Sequence, residues 1–131
     1  MEINMEEKTE MLSSLADADA KELAEAIAEL LDFKKGFDIE VLEVGDKTVI
    51  AEYFVICSGN TSTQIKALVD EVEYKIGLRD LMPYNVEGKD NNSWIVMDYS
   101  HVIVHVMTRE AREFYNIDKL YKNTTEVVSE D

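Results

Sequence analysis

Apolar residues recur at helical spacing in Leu23, Ile27, Leu30 and Leu31, and again in Ile65, Leu68, Val69, Val72 and Ile76. Each set would line one face of an α-helix. Each is preceded by capping-box spacing, Asp19 with Glu22 and Thr61 with Gln64, which satisfies free N–H groups in a first helical turn. The first helix is predicted to run to about Lys35, with Gly36 as its terminator, and Gly77 can end the second. Between them the period changes. Residues 38–43 alternate apolar and acidic, as in a strand with one wet face, and Gly45-Asp46 marks a turn. Tyr53 to Cys57 is continuously apolar, which predicts a central strand buried on both sides. Residues 78–93 hold the only proline, Pro83, a short strand candidate at 84–86 and a polar loop. Residues 94–98 and 101–107 then read as a hairpin, and Thr108 as the cap of a last helix.

The predicted order is helix, strand, strand, helix, three strands, helix. A strand–helix–strand crossover flanked by hairpins implies an α/β fold, a mixed sheet of about five strands with helices packed on it. At 131 residues the chain suits one domain, placed at residues 17–122. Residues 1–16 read as an acidic mobile arm or weakly docked helix, and residues 123–131 as a frayed acidic tail. No apolar run approaches the ~20 residues of a membrane span, and the N-terminus lacks a secretory layout. The single cysteine, Cys57, excludes a disulfide framework and favours a cytoplasmic setting.

Charge narrows the partners. With 28 acidic and 13 basic residues the formal net charge is −15. Such a surface is repelled by a phosphate backbone, so little direct RNA contact is expected and a basic protein is the better partner. An acidic adaptor or dimerisation module, acting as a homodimer, stays open as an alternative reading.

Candidate chemistry is sparse. His101 and His105 would share a metal on a helix, but on a strand four residues span ~13 Å, too far for one ion. His105 alternates with Ile103 and Met107 and reads as a half-buried structural histidine. Cys57 lies in an apolar strand, where a thiol is inert. Ser58–Ser62 sits between a strand and a helix, where phosphate can bind. Paired carboxylates to hold magnesium beside it are missing, and Glu52 and Asp98 are separate candidates. The segment is better read as a capping turn. No catalytic residue, metal site or cofactor is therefore assigned. Trp94 and Asp98 share a strand face, Tyr99 sits at the hairpin turn, and Phe114 and Tyr115 lie beyond the next strand. Aromatic residues with an acidic rim suit protein docking, so Trp94, Asp98, Tyr99, Phe114 and Tyr115 are the candidate contacts. Arg112 is expected to pair with Asp98 or Glu113.

Two stretches carry a resemblance. AEYFVICSGNTSTQIKALVDEVE at residues 51–73 and WIVMDYSHVIVHVMTREAREFYNIDKLY at residues 94–121 resemble the ribosomal silencing factor family, also called Iojap, over roughly residues 20–122. The family pattern falls on Tyr53, Gly59, Glu87-Gly88, Trp94, Asp98, His105, Arg112, Tyr115 and Leu120. The resemblance implies a nucleotidyltransferase-like topology without its active site. It implies binding to the large ribosomal subunit through ribosomal protein fourteen (uL14), and steric repression of subunit joining when nutrients are scarce. Two departures stand out. Glu52 replaces the family's usual Asp, and Ser100-His101 replaces Gly-Asp at the hairpin turn. Losing that glycine is expected to limit positive φ there and to reshape the turn.

Overall fold

The computed structural model describes residues 13–122. Two parallel strands form its spine, β2 (Tyr53–Gly59) and β5 (Val102–Thr108), paired in register from Tyr53–Val102 to Gly59–Thr108. Their β-branched runs are the sequences that tolerate burial on both faces, and every residue of β5 is buried. β1 (Phe37–Glu43) adds antiparallel to β2, and β4 (Trp94–Asp98) antiparallel to β5. β3 (Asn85–Glu87) closes the far edge, so the five-stranded mixed sheet has the order β1-β2-β5-β4-β3. This is the mixed α/β architecture the sequence pattern predicts.

The two sheet faces are covered unequally. Helices α1 (Ala20–Phe33) and α2 (Ser62–Gly77) lay Leu23, Ala24, Ile27 and Leu31, and Ile65, Leu68, Val69, Val72 and Ile76, onto one face. They meet Val55, Cys57, Ile95, Met97, Val104 and Val106 there. The other face carries Phe54, Ile56, Ile103, His105 and Met107. Among the described residues it receives only two short helices, α3 (Arg109–Tyr115) and α4 (Ile117–Lys122). The single closing helix expected from sequence is thus two, broken at Asn116, whose φ of 48° is left-handed.

All three predicted N-caps form, Thr108 Oγ1 accepting the Ala111 N–H at 3.2 Å. Asp19 Oδ1 accepts the Glu22 N–H at 2.8 Å, and Thr61 Oγ1 accepts that of Gln64 at 3.1 Å. The first glycine terminator, Gly36, is a correction. At the end of α1 it is Lys35 that takes positive φ, 73°, with Lys35 N–H donating to Asp32 O and Gly36 N–H to Leu31 O. That is the Schellman pattern with a lysine at the left-handed position. Gly36 serves a different need, because a Cβ there would collide with Cys57 Sγ. α2 ends on Gly77 as expected, and the turn that follows repeats the pattern, with Asp80 at φ 73° and Leu81 N–H donating to Ile76 O.

The packed unit begins before residue 17. Leu15 is buried in the core, its N–H donates to Arg79 O, and the Arg79 guanidinium donates to Ser13 O and Oγ. Residues 13–16 are therefore held, not an arm; residues 1–12 and 123–131 lie outside the described residues.

Candidate functional site

The thinly covered face assembles a cluster of aromatic rings. Trp94 opens β4 opposite Met107, with the Gly88 loop against its backbone. Gly88 has φ 93°, and any Cβ there would strike the Trp94 carbonyl oxygen. The half-buried Trp94 ring lies 4.8 Å from Tyr115, whose ring is 4.9 Å from Phe114. Tyr115 is 51% exposed and Phe114 78%. Leu120, on α4, is exposed as well. Three of the five sequence candidates, Trp94, Phe114 and Tyr115, are thus neighbours on one surface.

Asp98 and Tyr99 are not part of it. Asp98 closes the other end of β4, opposite Ile103, and its Oδ1 accepts the Ser100 N–H at 2.7 Å. It caps the turn. Tyr99 is 5% exposed and packs among α1 and α2 residues on the opposite sheet face, because side chains alternate along a strand. Its hydroxyl has no hydrogen-bond partner among the described residues. Burial, aided by the Glu73 charge, raises its pKa. The Ser100 turn keeps positive φ, 79°, despite the missing glycine, and His101 N–H donates back to Tyr99 O across it. The Asp98 carboxylate is what holds Ser100 in that conformation.

His105 supports the aromatic cluster from below. Its Nδ1 accepts the Trp94 indole N–H at 3.2 Å. Indole only donates, so a neutral His105 carries its proton on Nε2, which has no partner among the described residues. The Phe54 ring stands edge-on 4.7 Å away, and Tyr121 packs on Phe54 at 4.8 Å. Burial lowers the His105 pKa to about 4, against a smaller opposing pull from Asp118. His105 is therefore neutral and structural at physiological pH.

Arg112 is the organising cation, and its partner differs from the expected Asp98 or Glu113. Nε and Nη2 donate bidentately to Asp118 at 3.1 and 2.8 Å. Nη1 donates to Ser58 Oγ at 2.9 Å and to Asp38 O. Asp38 stands at a β1 bulge with φ 49°. One guanidinium thus ties α3, α4, β1 and β2 together. A six-residue spacing is invisible to helix periodicity, and it closes only because Asn116 bends the chain.

The remaining chemistry is absorbed structurally. Cys57 points to the helix-covered face, away from His105, and burial raises its pKa to about 12. Thr61 caps α2, while Ser58 Oγ is taken by Arg112. Glu52 meets the exposed His101 at 3.2 Å. Among the described residues no group of three or more His, Cys, Asp or Glu could hold a metal ion, and no helix is long and apolar enough to cross a membrane.

Comparison with known proteins gives the family and the fold. The family described as "ribosomal silencing factor during starvation" matches residues 17–131. Ribosomal silencing factor RsfS of Haemophilus influenzae is 37% identical over 99 residues, covering 76% of this chain and 97% of its own. The Bacillus subtilis protein of that name is 31% identical over 101 residues, covering 77% and 86%. A mouse protein, mitochondrial assembly of ribosomal large subunit protein 1, is 33% identical over 98 residues, 72% of this chain and 43% of that one. A crystal structure of a Chromobacterium violaceum protein superposes with a TM-score of 0.77 at 27% identity, covering 81% of this chain and 88% of that chain. The chain belongs to the ribosomal silencing factor family.

Proposed function

We infer that the chain represses translation by docking on the large ribosomal subunit through the Trp94–Phe114–Tyr115 surface, with ribosomal protein fourteen as its contact. Occupying that protein would block joining to the small subunit by bulk alone. The observation that carries this reading is the open aromatic cluster on the thinly covered sheet face. Exposed aromatic side chains held by packed neighbours are the usual anchors of protein interfaces. The relatives' names point to the ribosome, and the mouse relative's to its large subunit. A formal charge of −15 favours a basic protein and disfavours rRNA. The proposed role needs no catalytic group.

Co-sedimentation with purified subunits tests it. Wild-type protein should pellet with large subunits, not with small ones, and should reduce their joining. Phe114→Ala with Tyr115→Ala should weaken pelleting by about tenfold or more with little change in thermal midpoint, since both rings are exposed. Equal association with both subunits, or undiminished binding by the double variant, sinks the respective half of the assignment.

A further inference from the structure

The helix-covered side of the molecule carries a second exposed apolar surface that the aromatic cluster does not explain. On α2, Asp70, Tyr74, Gly77 and Leu78 follow at i, i+4, i+7 and i+8, the stripe turned away from the sheet. Met82 lies just beyond the helix end. Together with Glu73 these residues line a groove of about 440 Å³. Tyr74 is 62% and Met82 60% exposed, and Leu78 is also open to solvent. A contiguous exposed apolar strip rimmed by charge marks an interaction site more often than a bare surface.

The rim decides the sign of the partner. Asp70 and Glu73 stand along one side, and Lys89 reaches both, at 3.6 and 3.4 Å, with half its side chain in water. Two carboxylates against one ammonium leave that rim net negative. On the other side of Leu78, Lys75 is paired with Glu71 at 2.9 Å, and Arg79 keeps its positive charge, since its hydrogen bonds go to the neutral Ser13 carbonyl and hydroxyl. It is the Asp70–Glu73 side of the rim that complements cationic side chains, in a chain whose overall charge draws them in.

We propose that this groove on α2 docks an amphipathic, Lys/Arg-bearing segment of a second protein, its apolar side chain seated between Tyr74, Leu78 and Met82 and its cations on Asp70 and Glu73. Because α2 and the aromatic cluster lie on opposite faces of the sheet, both surfaces can be occupied at once. The segment would thus be a second partner, independent of the ribosomal one.

The probe is a short synthetic helix-forming peptide of leucine and lysine, titrated into the isotopically labelled full chain and followed by amide NMR. Saturable shifts should concentrate in residues 70–82. Tyr74→Ser with Leu78→Ser, and separately Asp70→Asn with Glu73→Gln, should each weaken binding about tenfold, as loss of an anchor or of paired charge does. Phe114→Ala with Tyr115→Ala should leave peptide binding unchanged, and a leucine–glutamate peptide of equal length should not bind. Shifts scattered over the acidic surface, or insensitive to the α2 variants, overturn the proposal. So does concentration-dependent movement of residues 70–82 without peptide, which gives the groove to a second copy. Movement of the same resonances in Met5→Ser with Met11→Ser gives it instead to the chain's own N-terminal segment, and equally overturns it. None of these outcomes touches subunit co-sedimentation, so this proposal and the ribosomal one fail separately.

Discussion

At the scale of single residues, His105 shows how burial turns a titratable group into a structural one. Its imidazole accepts the Trp94 indole N–H and faces Phe54, and burial holds its pKa near 4, below the ordinary histidine value of about 6.5. The unfolded chain therefore binds more protons than the folded one between these two values. Stability from this residue is fully present above about pH 6.5 and is lost as the pH falls toward 4. The expected size is about 3 kcal/mol, since one pKa unit is worth about 1.4 kcal/mol. Many carboxylates titrate in the same window, so the measurement is a difference. Urea melts of wild type and His105→Phe from pH 4 to 7.5 should diverge, with the variant losing this part of the slope. Parallel pH profiles would show that His105 does not carry the effect.

At the scale of elements, the short helices α3 and α4 cannot hold themselves in place. Helices of 7 and 6 residues are far below the length that is stable alone. The Arg112–Asp118 pair supplies the constraint, with both side chains less than one-fifth exposed. Arg112→Ala should cost about 2–4 kcal/mol, because it removes the bidentate donor to the Asp118 carboxylate and also releases Ser58 and Asp38. The double variant Arg112→Ala with Asp118→Ala should cost less than the sum of the two single variants. Arg112→Lys should not restore the wild type, since an ammonium cannot donate bidentately. Hydrogen exchange should quicken in residues 109–122 well before β2 or β5, and subunit binding should weaken as Tyr115 and Phe114 lose their fixed position. Strict additivity in the denaturation cycle would remove the clamp from this account.

At the scale of the whole molecule, the unequal cover of the sheet and the net charge act together. Long helices close one face, and the other is left with aromatic rings half in water. In the proposed docking, the charge of −15 would govern the encounter. The association rate with isolated protein fourteen should fall by about tenfold or more between low and near-molar salt, as screening shortens the range of attraction, while dissociation changes much less. Stopped-flow mixing over a salt series reads both rates. Tight binding to naked rRNA fragments without that protein would contradict the charge argument.

Hydrophobic patterning determined the helices at residues 20–33 and 62–77 and the buried strands β2 and β5, and polar capping residues determined the three helix caps. Burial and capping are local demands, and they leave their mark at fixed spacing. The family, too, was legible, because its residues lie in two continuous stretches. The tertiary structure decided what depends on direction and on distant neighbours. Residues adjacent in sequence, Asp98 and Tyr99, were separated, because consecutive strand side chains point to opposite faces and one face is sealed by helices. Trp94 was joined to Tyr115, 21 positions away, because β4 pairs with β5 and α3 follows directly from the end of β5, where Arg112 ties it to the sheet. The glycine at position 36 was readable as punctuation, yet it stands there because Cys57 leaves no room for a Cβ, a demand that only the packed sheet can make.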